Sequence, residues 1–258
     1  MVVRRLCLIL ALAVPGLAAE PSESAERLWN LGQEAMRQGK PETAVGYYRQ
    51  SLVADPGLVR NYLSLAAAYL EMDDEAAALP PLTRFVGAHP EQMVIRVHLA
   101  DLLLRLKRSA EARAEFERCV AGAQERDDAG TPAQLVHCHT RLVEIAEAAD
   151  DGYNEHLHRG IGLFLLARQR AILPEPEGEF SCEALLCRAA GELTLAHLAK
   201  TDEARPSWYL HEVWSRLAQQ QPARRFLREA TRAAPFTYLT AAEQRGLQLA
   251  KILHEPRP

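Results

Sequence analysis

Aromatic side chains are scarce in this sequence, and no segment alternates apolar and polar residues over the length of a strand. Phe, Trp and Tyr together make up 6% of the 258 residues, whereas Ala, Leu, Arg and Glu are abundant. These four residue types are strong helix formers. The composition therefore favours an all-helical protein and argues against a sheet of useful size.

Motifs of the common catalytic and nucleotide-binding sites are also missing. The sequence has no Gly-rich phosphate loop, no Gly-x-Ser-x-Gly elbow and no His-Glu-x-x-His helix. Its formal net charge is −4, so it lacks the excess of Lys and Arg that displaces counterions from nucleic acid. We therefore predict a protein without enzymatic activity, without a cofactor and without a nucleic-acid partner.

Long apolar runs are missing from the sequence, which has one short apolar run near the N-terminus. Two arginines precede the apolar residues 6–14, and small residues follow as far as Ala19. This order predicts a secretory signal peptide, 1–19, followed by a polar linker, 20–24. The run is shorter than the about 20 residues that span a membrane. We expect an exported periplasmic or envelope protein with no stable span after cleavage; an uncleaved inner-membrane anchor is the alternative.

Similar residues recur at an interval of 34 in the first half of the chain. Leu31, Leu65 and Leu99 form one set. Three further sets follow it: Gly32, Ala66 and Ala100; Ala44, Ala78 and Ala112; and Tyr48, Leu82 and Phe116. A fixed period of this length is typical of stacked supersecondary units, which form extended binding surfaces more often than catalytic pockets.

Each copy of the repeat has helical spacing with a break in its middle. In the first copy, Gly39 to Pro41 interrupts the apolar stripe, and Asp55 and Pro56 end it. Two short helices joined by a tight turn therefore form each unit. The small residues of the sets predict close helix crossings, with larger side chains such as Leu31 and Tyr48 filling the space around them.

These residues resemble the tetratricopeptide repeat family, whose pattern combines aromatic residues, Leu-Gly, Ala, a large apolar residue and Pro. The second copy carries most of that pattern: Tyr62, Leu65, Ala66, Tyr69, Ala78, Leu82 and Pro90. The departures are Ala35 in the first copy, and Arg96, Leu103 and Gln124 in the third. The resemblance implies an α-solenoid of antiparallel helix pairs, a superhelix that binds protein or peptide partners.

The period also predicts how the chain is divided. Three repeats are predicted in the first half, at 25–58, 59–92 and 93–126. A fourth copy at 204–237 has the same internal spacing, and 238–258 forms a capping helix and tail. Between them, 127–203 contains helical stripes at 133–149, 153–172 and 181–200, interpreted as degenerate repeats with insertions.

The resemblance further implies that the first helix of each unit lines a concave binding groove. Carried over to this chain, the groove residues are Trp29, Gln33, Met36, Arg60, Leu63, Leu70, Val97, Asp101, Leu104 and Arg105. The Lys, Asn and Arg with which some relatives hold a terminal carboxylate are absent from these positions. We therefore predict a non-enzymatic adaptor for envelope complex assembly that binds an apolar or amphipathic segment. Alternatively, the chain covers this groove itself.

A second hypothesis concerns histidines and cysteines in the middle of the chain. The candidate ligands for zinc or copper are His137, Cys138, His139, His156 and His158. Residues two apart on a helix point about 200° apart, so an ion would need one histidine from each helix. This set suggests a metal- or redox-handling envelope protein as the alternative function. Whether Cys182 and Cys187 form a disulfide is left open by their spacing.

Overall fold

The computed structural model describes residues 23–125, 132–170 and 181–254. The predicted signal peptide, 1–19, lies outside these ranges, as do the first residues of the predicted linker. The described residues are helical apart from short connections and form no strand. The predicted all-α fold is confirmed.

Twelve α-helices follow one another in the described ranges. They are α1 (Glu23–Arg37), α2 (Pro41–Ala54), α3 (Val59–Glu71), α4 (Glu75–Ala88), α5 (Met93–Arg105), α6 (Ser109–Glu125), α7 (Pro132–Ala148), α8 (Gly152–Arg170), α9 (Cys182–Ala199), α10 (Ala204–Arg216), α11 (Gln220–Ala233) and α12 (Ala241–His254). A 3₁₀ turn, Ala234–Phe236, separates the last two. Helix α1 begins at Glu23, so the last two residues of the predicted linker are helical.

The turn inside each helix pair has the same backbone geometry. A residue with positive φ follows α1, α3 and α5, at Gly39, Asp73 and Lys107, again 34 residues apart. The amide after Gly39 bonds back to the Ala35 carbonyl, and the Lys107 turn repeats this arrangement. Left-handed residues of this kind end helices and satisfy their last carbonyl groups. The 34-residue period is therefore present in the backbone as well as in the side chains.

The chain divides into two compact units, which are described separately: residues up to Asp73 and residues from Asp74 onward. In the first unit α1 packs against α2, and α2 against α3. Gly32 faces the fully buried ring of Tyr48, where a Cβ would lie 2.6 Å from Cδ1. The small residue at this crossing is thus required, as the sequence predicts. Leu31, however, is 43% exposed and so does not fill the space around this crossing as the sequence predicts.

In the second unit α5 packs against α6, α7 against α8, and α10 against α11. The degenerate segment contributes three described helices, α7, α8 and α9, of which α8 and α9 approach closely at Gly160. A Cβ at Gly160 would lie 2.6 Å from Cγ of Leu193, which is fully buried. The helix α12 packs against α11 and also against α6, which returns the end of the chain to an earlier part of this unit.

A buried polar cluster attaches α12 to α10. Glu243 on α12 accepts hydrogen bonds from Arg205 Nε (2.8 Å), Tyr209 Oη (2.9 Å) and the Thr240 amide (2.8 Å). The Glu243 amide in turn donates to Thr240 Oγ1 (3.3 Å), which completes a capping box at the start of α12. The capping helix is thus held by an ion pair and a helix cap, in addition to its apolar face.

Candidate functional site

In the first unit, three of the predicted groove residues meet around one serine. The indole Nε1 of Trp29 and the amide Nε2 of Gln33 both donate to Ser64 Oγ, each at 3.0 Å. The guanidinium of Arg60 lies over the Trp29 ring, with Cζ 4.2 Å from its centroid, and pairs with Glu26. Residues of α1 and α3 therefore hold the half-buried Trp29 ring by a cation–π contact and a hydrogen bond.

Apolar groove residues in this unit are exposed to different degrees. Met36 and Leu63 are half-buried, whereas Leu70, near the end of α3, is 37% exposed. The face formed by α1 and α3 therefore combines a fixed aromatic ring, an arginine and accessible aliphatic side chains.

In the second unit, the predicted groove residue Asp101 is the centre of a polar network. Its carboxylate accepts from Arg141 Nε at 3.0 Å and lies 3.0 Å from His137 Nε2, so α5 is tied to α7. Arg105, one turn further along α5, pairs with Glu75 at 2.5 Å. This face is more polar than the sequence suggests, because the partners of Asp101 come from positions 36 and 40 residues later.

The predicted exposure of Val97 is wrong. Val97 is only 8% exposed and belongs to the core, while Leu104 on the same helix is half-buried. Helix α5 packs against α4, α6 and α7, which leaves a narrower free face than a helix with fewer neighbours would have. Val97 therefore contributes to packing and offers no surface to a partner.

The five residues of the metal hypothesis do not all share one environment. His137 contacts Asp101, and His156 contacts Glu192 on α9, with Nδ1 2.7 Å from Oε2. His139 and His158 do meet across α7 and α8, as the hypothesis requires, with their Nδ1 atoms 3.1 Å apart. In the part of the chain that the structure describes, no three His, Cys, Asp or Glu side chains are arranged to hold a metal ion.

Burial keeps the histidine pair and the neighbouring thiol uncharged. Burial, with a smaller effect of the Arg205 charge, lowers the pKa of His139 to about 3, and burial also lowers the pKa of His158 far below its usual range. The pKa of Cys138 is raised, first by a hydrogen bond with Cys119 and then by burial. A protonated thiol and two neutral imidazoles in contact are typical of interior packing.

The cysteines of α9 are both free. Cys182 is the first residue of the helix, and its Sγ lies 3.6 Å from the Ala167 carbonyl oxygen, whereas Cys187 is exposed. The disulfide that the spacing left open is therefore not formed. No helix in the described ranges is long and apolar enough to cross a membrane.

Residues that the sequence did not single out surround a cavity of about 470 Å³ in the second unit. Arg205, Tyr153 and Glu203 line it together with His158. Arg205 and Tyr153 belong to helices far apart in the sequence, and neither stands in a motif. The one available signal was charge on an otherwise apolar helix face, which is too common to identify a site.

The family comparison identifies one repeat directly: residues 95–121 match the tetratricopeptide repeat model. DnaJ homolog subfamily C member 3 of Rattus norvegicus is 26% identical over 146 residues, which are 56% of this chain and 29% of that protein. The chain thus spans less than a third of that relative's length.

The comparison with solved structures found neighbours of low sequence identity. A crystal structure of MamA is 14% identical, with a TM-score of 0.43 and coverage of 92% of this chain and 98% of that one. Pseudomonas aeruginosa PilF is 14% identical, with a TM-score of 0.39 and coverage of 89% and 98%. Residues 95–121, which match the tetratricopeptide repeat model, span most of α5 and α6 in an all-helical chain of successively packed helix pairs.

Proposed function

We propose that this protein is a non-enzymatic, exported adaptor whose first-helix surfaces bind an apolar or amphipathic segment of a partner protein during assembly of an envelope complex. Tetratricopeptide arrays are protein-interaction architectures that use extended helical surfaces. Such a surface needs no catalytic side chains and no cofactor. The sequence features of residues 1–19 motivate the export part of the proposal.

The arrangement around Trp29 carries the proposal. Aromatic and arginine side chains dominate the binding energy of protein interfaces, and a ring already held in place loses little entropy on binding. Trp29 is held by Ser64 and covered on one face by Arg60. The ring and its guanidinium neighbour are therefore ordered before a partner arrives.

Nearby side chains favour a partner segment with both apolar and polar residues. Leu70 is exposed on the same helix as Arg60, and Glu26 and Arg60 provide charge of both signs. An amphipathic helix presents apolar side chains three and four residues apart, a spacing that matches the repeat of side chains along α3. A wholly polar segment would leave Leu70 in contact with water.

Site-specific cross-linking tests this surface. A photoreactive phenylalanine analogue is introduced at Leu70 in the full-length protein, and the cross-linked partner segment is identified by mass spectrometry. The matched control is Val53 on α2, which is apolar and 84% exposed in the same unit. We expect the probe at position 70 to cross-link one defined partner segment, whose apolar residues are three or four positions apart. The probe at position 53 should give no such product.

Charge substitutions provide the second half of the experiment. Leu70→Asp should reduce binding of the synthetic partner segment at least tenfold, whereas Val53→Asp should leave it unchanged. Both side chains are exposed, so neither substitution should unfold the chain. Equal cross-linking at the two positions, or equal binding by the two variants, would rule out this surface as the partner site.

A further inference from the structure

A second site lies in the unit that begins at Asp74, at the cavity of about 470 Å³. Its walls come from α6, α7 and α8 and from the segments that lead into α10 and α12. Because α12 packs back against α6, the C-terminal part of the chain encloses space beside the second helices of two earlier pairs. The volume is suitable for a small molecule.

Arg205 lines this cavity, and its ion pair with Glu243 leaves one guanidinium nitrogen without an acceptor. Its side chain is only 12% exposed, and Nε donates to Glu243. The terminal Nη2 is buried and has no hydrogen-bond partner among the described residues. A buried guanidinium nitrogen without an acceptor costs free energy, and an anionic ligand would remove that cost.

Glu203 supplies a negative group two residues away. It lines the same cavity and forms no ion pair with any described residue. The other charged residues of the lining are already paired, since Glu117 pairs with Arg113 at 2.9 Å and Arg118 pairs with Glu115. The lining therefore contains one guanidinium nitrogen without an acceptor and one carboxylate without an ion pair among the described residues.

The remaining wall combines one hydroxyl group with aliphatic side chains. Tyr153 lines the cavity, and burial raises the pKa of its hydroxyl, which keeps its proton and can donate a hydrogen bond. Val120, Leu142 and Leu157 also line the cavity, and all three are buried. An apolar group of a ligand can pack against them.

We infer that this cavity binds a small zwitterion of the amino-acid class with an apolar side chain. Arg205 and Tyr153 bind its carboxylate, Glu203 binds its ammonium group, and Val120 and Leu157 contact its side chain. A simple carboxylate would satisfy Arg205 but would be repelled by Glu203. A simple amine would satisfy Glu203 and leave Nη2 of Arg205 without an acceptor. This site is separate from the surface around Trp29, and either proposal can fail without the other.

Isothermal titration calorimetry on the protein with residues 20–258 tests the inference. The probes are L-leucine, L-methionine and L-phenylalanine, each compared with the analogue that lacks the ammonium group and with the carboxamide that lacks the carboxylate. For leucine these are 4-methylpentanoate and L-leucinamide. We expect at least one of the three amino acids to bind, and we expect both of its analogues to bind at least threefold more weakly. The inference would be overturned if none of the three amino acids bound. It would also be overturned if either analogue bound with an affinity within threefold of that of its amino acid.

Variants locate the binding within the cavity. Glu203→Gln should weaken binding of the amino acid at least threefold. It should also reduce the difference in affinity between the amino acid and the analogue that lacks the ammonium group. Tyr153→Phe keeps the ring that Lys200 covers at 4.2 Å and removes the donor, so it should also weaken binding. The control Glu212→Gln removes an exposed pair with Arg216 on α10 and should have no effect. Unchanged affinity in both cavity variants, at unchanged melting temperature, would exclude this cavity.

Discussion

His139 and His158 form a hydrogen bond through their Nδ1 atoms, which lie 3.1 Å apart in the buried contact between α7 and α8. One ring donates and the other accepts, and because burial keeps both imidazoles neutral, the two rings are different tautomers. Protonation of the accepting ring would place two donors face to face, and protonation of either ring would bury a charge beside Arg205. The contact is therefore sensitive to acid.

The first prediction is a loss of stability between pH 6.5 and pH 4. The pKa of His139 is about 3 in the folded protein and 6.5 for an ordinary histidine, and His158 is lowered in the same direction. The unfolded chain thus binds more protons below pH 6.5, and the free energy of unfolding falls as pH falls. Each proton contributes a slope of about 1.4 kcal/mol per pH unit. Urea unfolding at several pH values measures this change in the free energy of unfolding.

The control for this prediction is the exposed His98. His139→Gln should show a shallower pH dependence than the wild-type protein, whereas His98→Gln should retain the wild-type slope. If both variants keep the same slope as the wild type, the acid sensitivity has another origin.

The second prediction concerns the crossing of α1 and α2. Gly32→Ala places a Cβ 2.6 Å from Cδ1 of Tyr48, whose ring is fully buried. Overpacking of this kind costs about 1–3 kcal/mol. Hydrogen exchange of the α1 and α2 amides, measured by mass spectrometry, should therefore become faster.

Gly46 on α2 is the matched control, because a Cβ there would meet no atom within 4 Å. Gly46→Ala should slow exchange, since alanine stabilises a helix by about 0.5–1 kcal/mol relative to glycine. Equal effects of the two substitutions would show that the approach of Tyr48 does not limit the residue at position 32.

The third prediction concerns the attachment of α12. Glu243→Ala removes the acceptor of Arg205 Nε, Tyr209 Oη and the Thr240 amide. Breaking a buried ion pair by removing one partner costs about 3–5 kcal/mol. We expect a lower melting temperature and fast hydrogen exchange over 241–254.

Glu212→Ala, which removes an exposed pair with Arg216, should change stability by less than about 1 kcal/mol. Protection of α12 in Glu243→Ala would contradict its attachment by this cluster.

The fourth prediction concerns processing. Mass spectrometry of the protein isolated from its native cells should find an N-terminus at Ala19 or Glu20, because small residues precede both bonds. Retention of Met1 in a membrane fraction would instead support the uncleaved anchor. A charged residue in the apolar run, such as Leu10→Arg, should block processing.

Local patterns predicted the helices well. Gly39 and Pro41 marked the turn between α1 and α2, and α2 begins at Pro41. The small residues of the repeat are buried as expected, and Tyr48 and Phe116 lie in the core. These features depend on residues close in sequence, or on a spacing that repeats along the chain, and both can be read from a single sequence.

Exposure at the predicted groove positions could not be read from the sequence, because it depends on neighbouring helices. Trp29 and Gln33 do lie on a common face with Arg60. Val97 has the same helical spacing as exposed residues and is nonetheless covered, because α5 packs against helices on several sides. Periodicity predicts which residues share a face, but not how much of that face the rest of the chain covers.

The sequence by itself determined the helical fold, the 34-residue period and the turns, because these follow from spacing, small residues and helix-ending residues. Only the tertiary structure decided which polar side chains became partners. His139 meets His158 from 19 residues away, and Arg205 meets Glu243 from 38. The segment that leads into α12 also brings Tyr238 and Thr240 to the cavity beside Arg205. Such contacts depend on how helices pack in three dimensions, which the local pattern of residues does not encode.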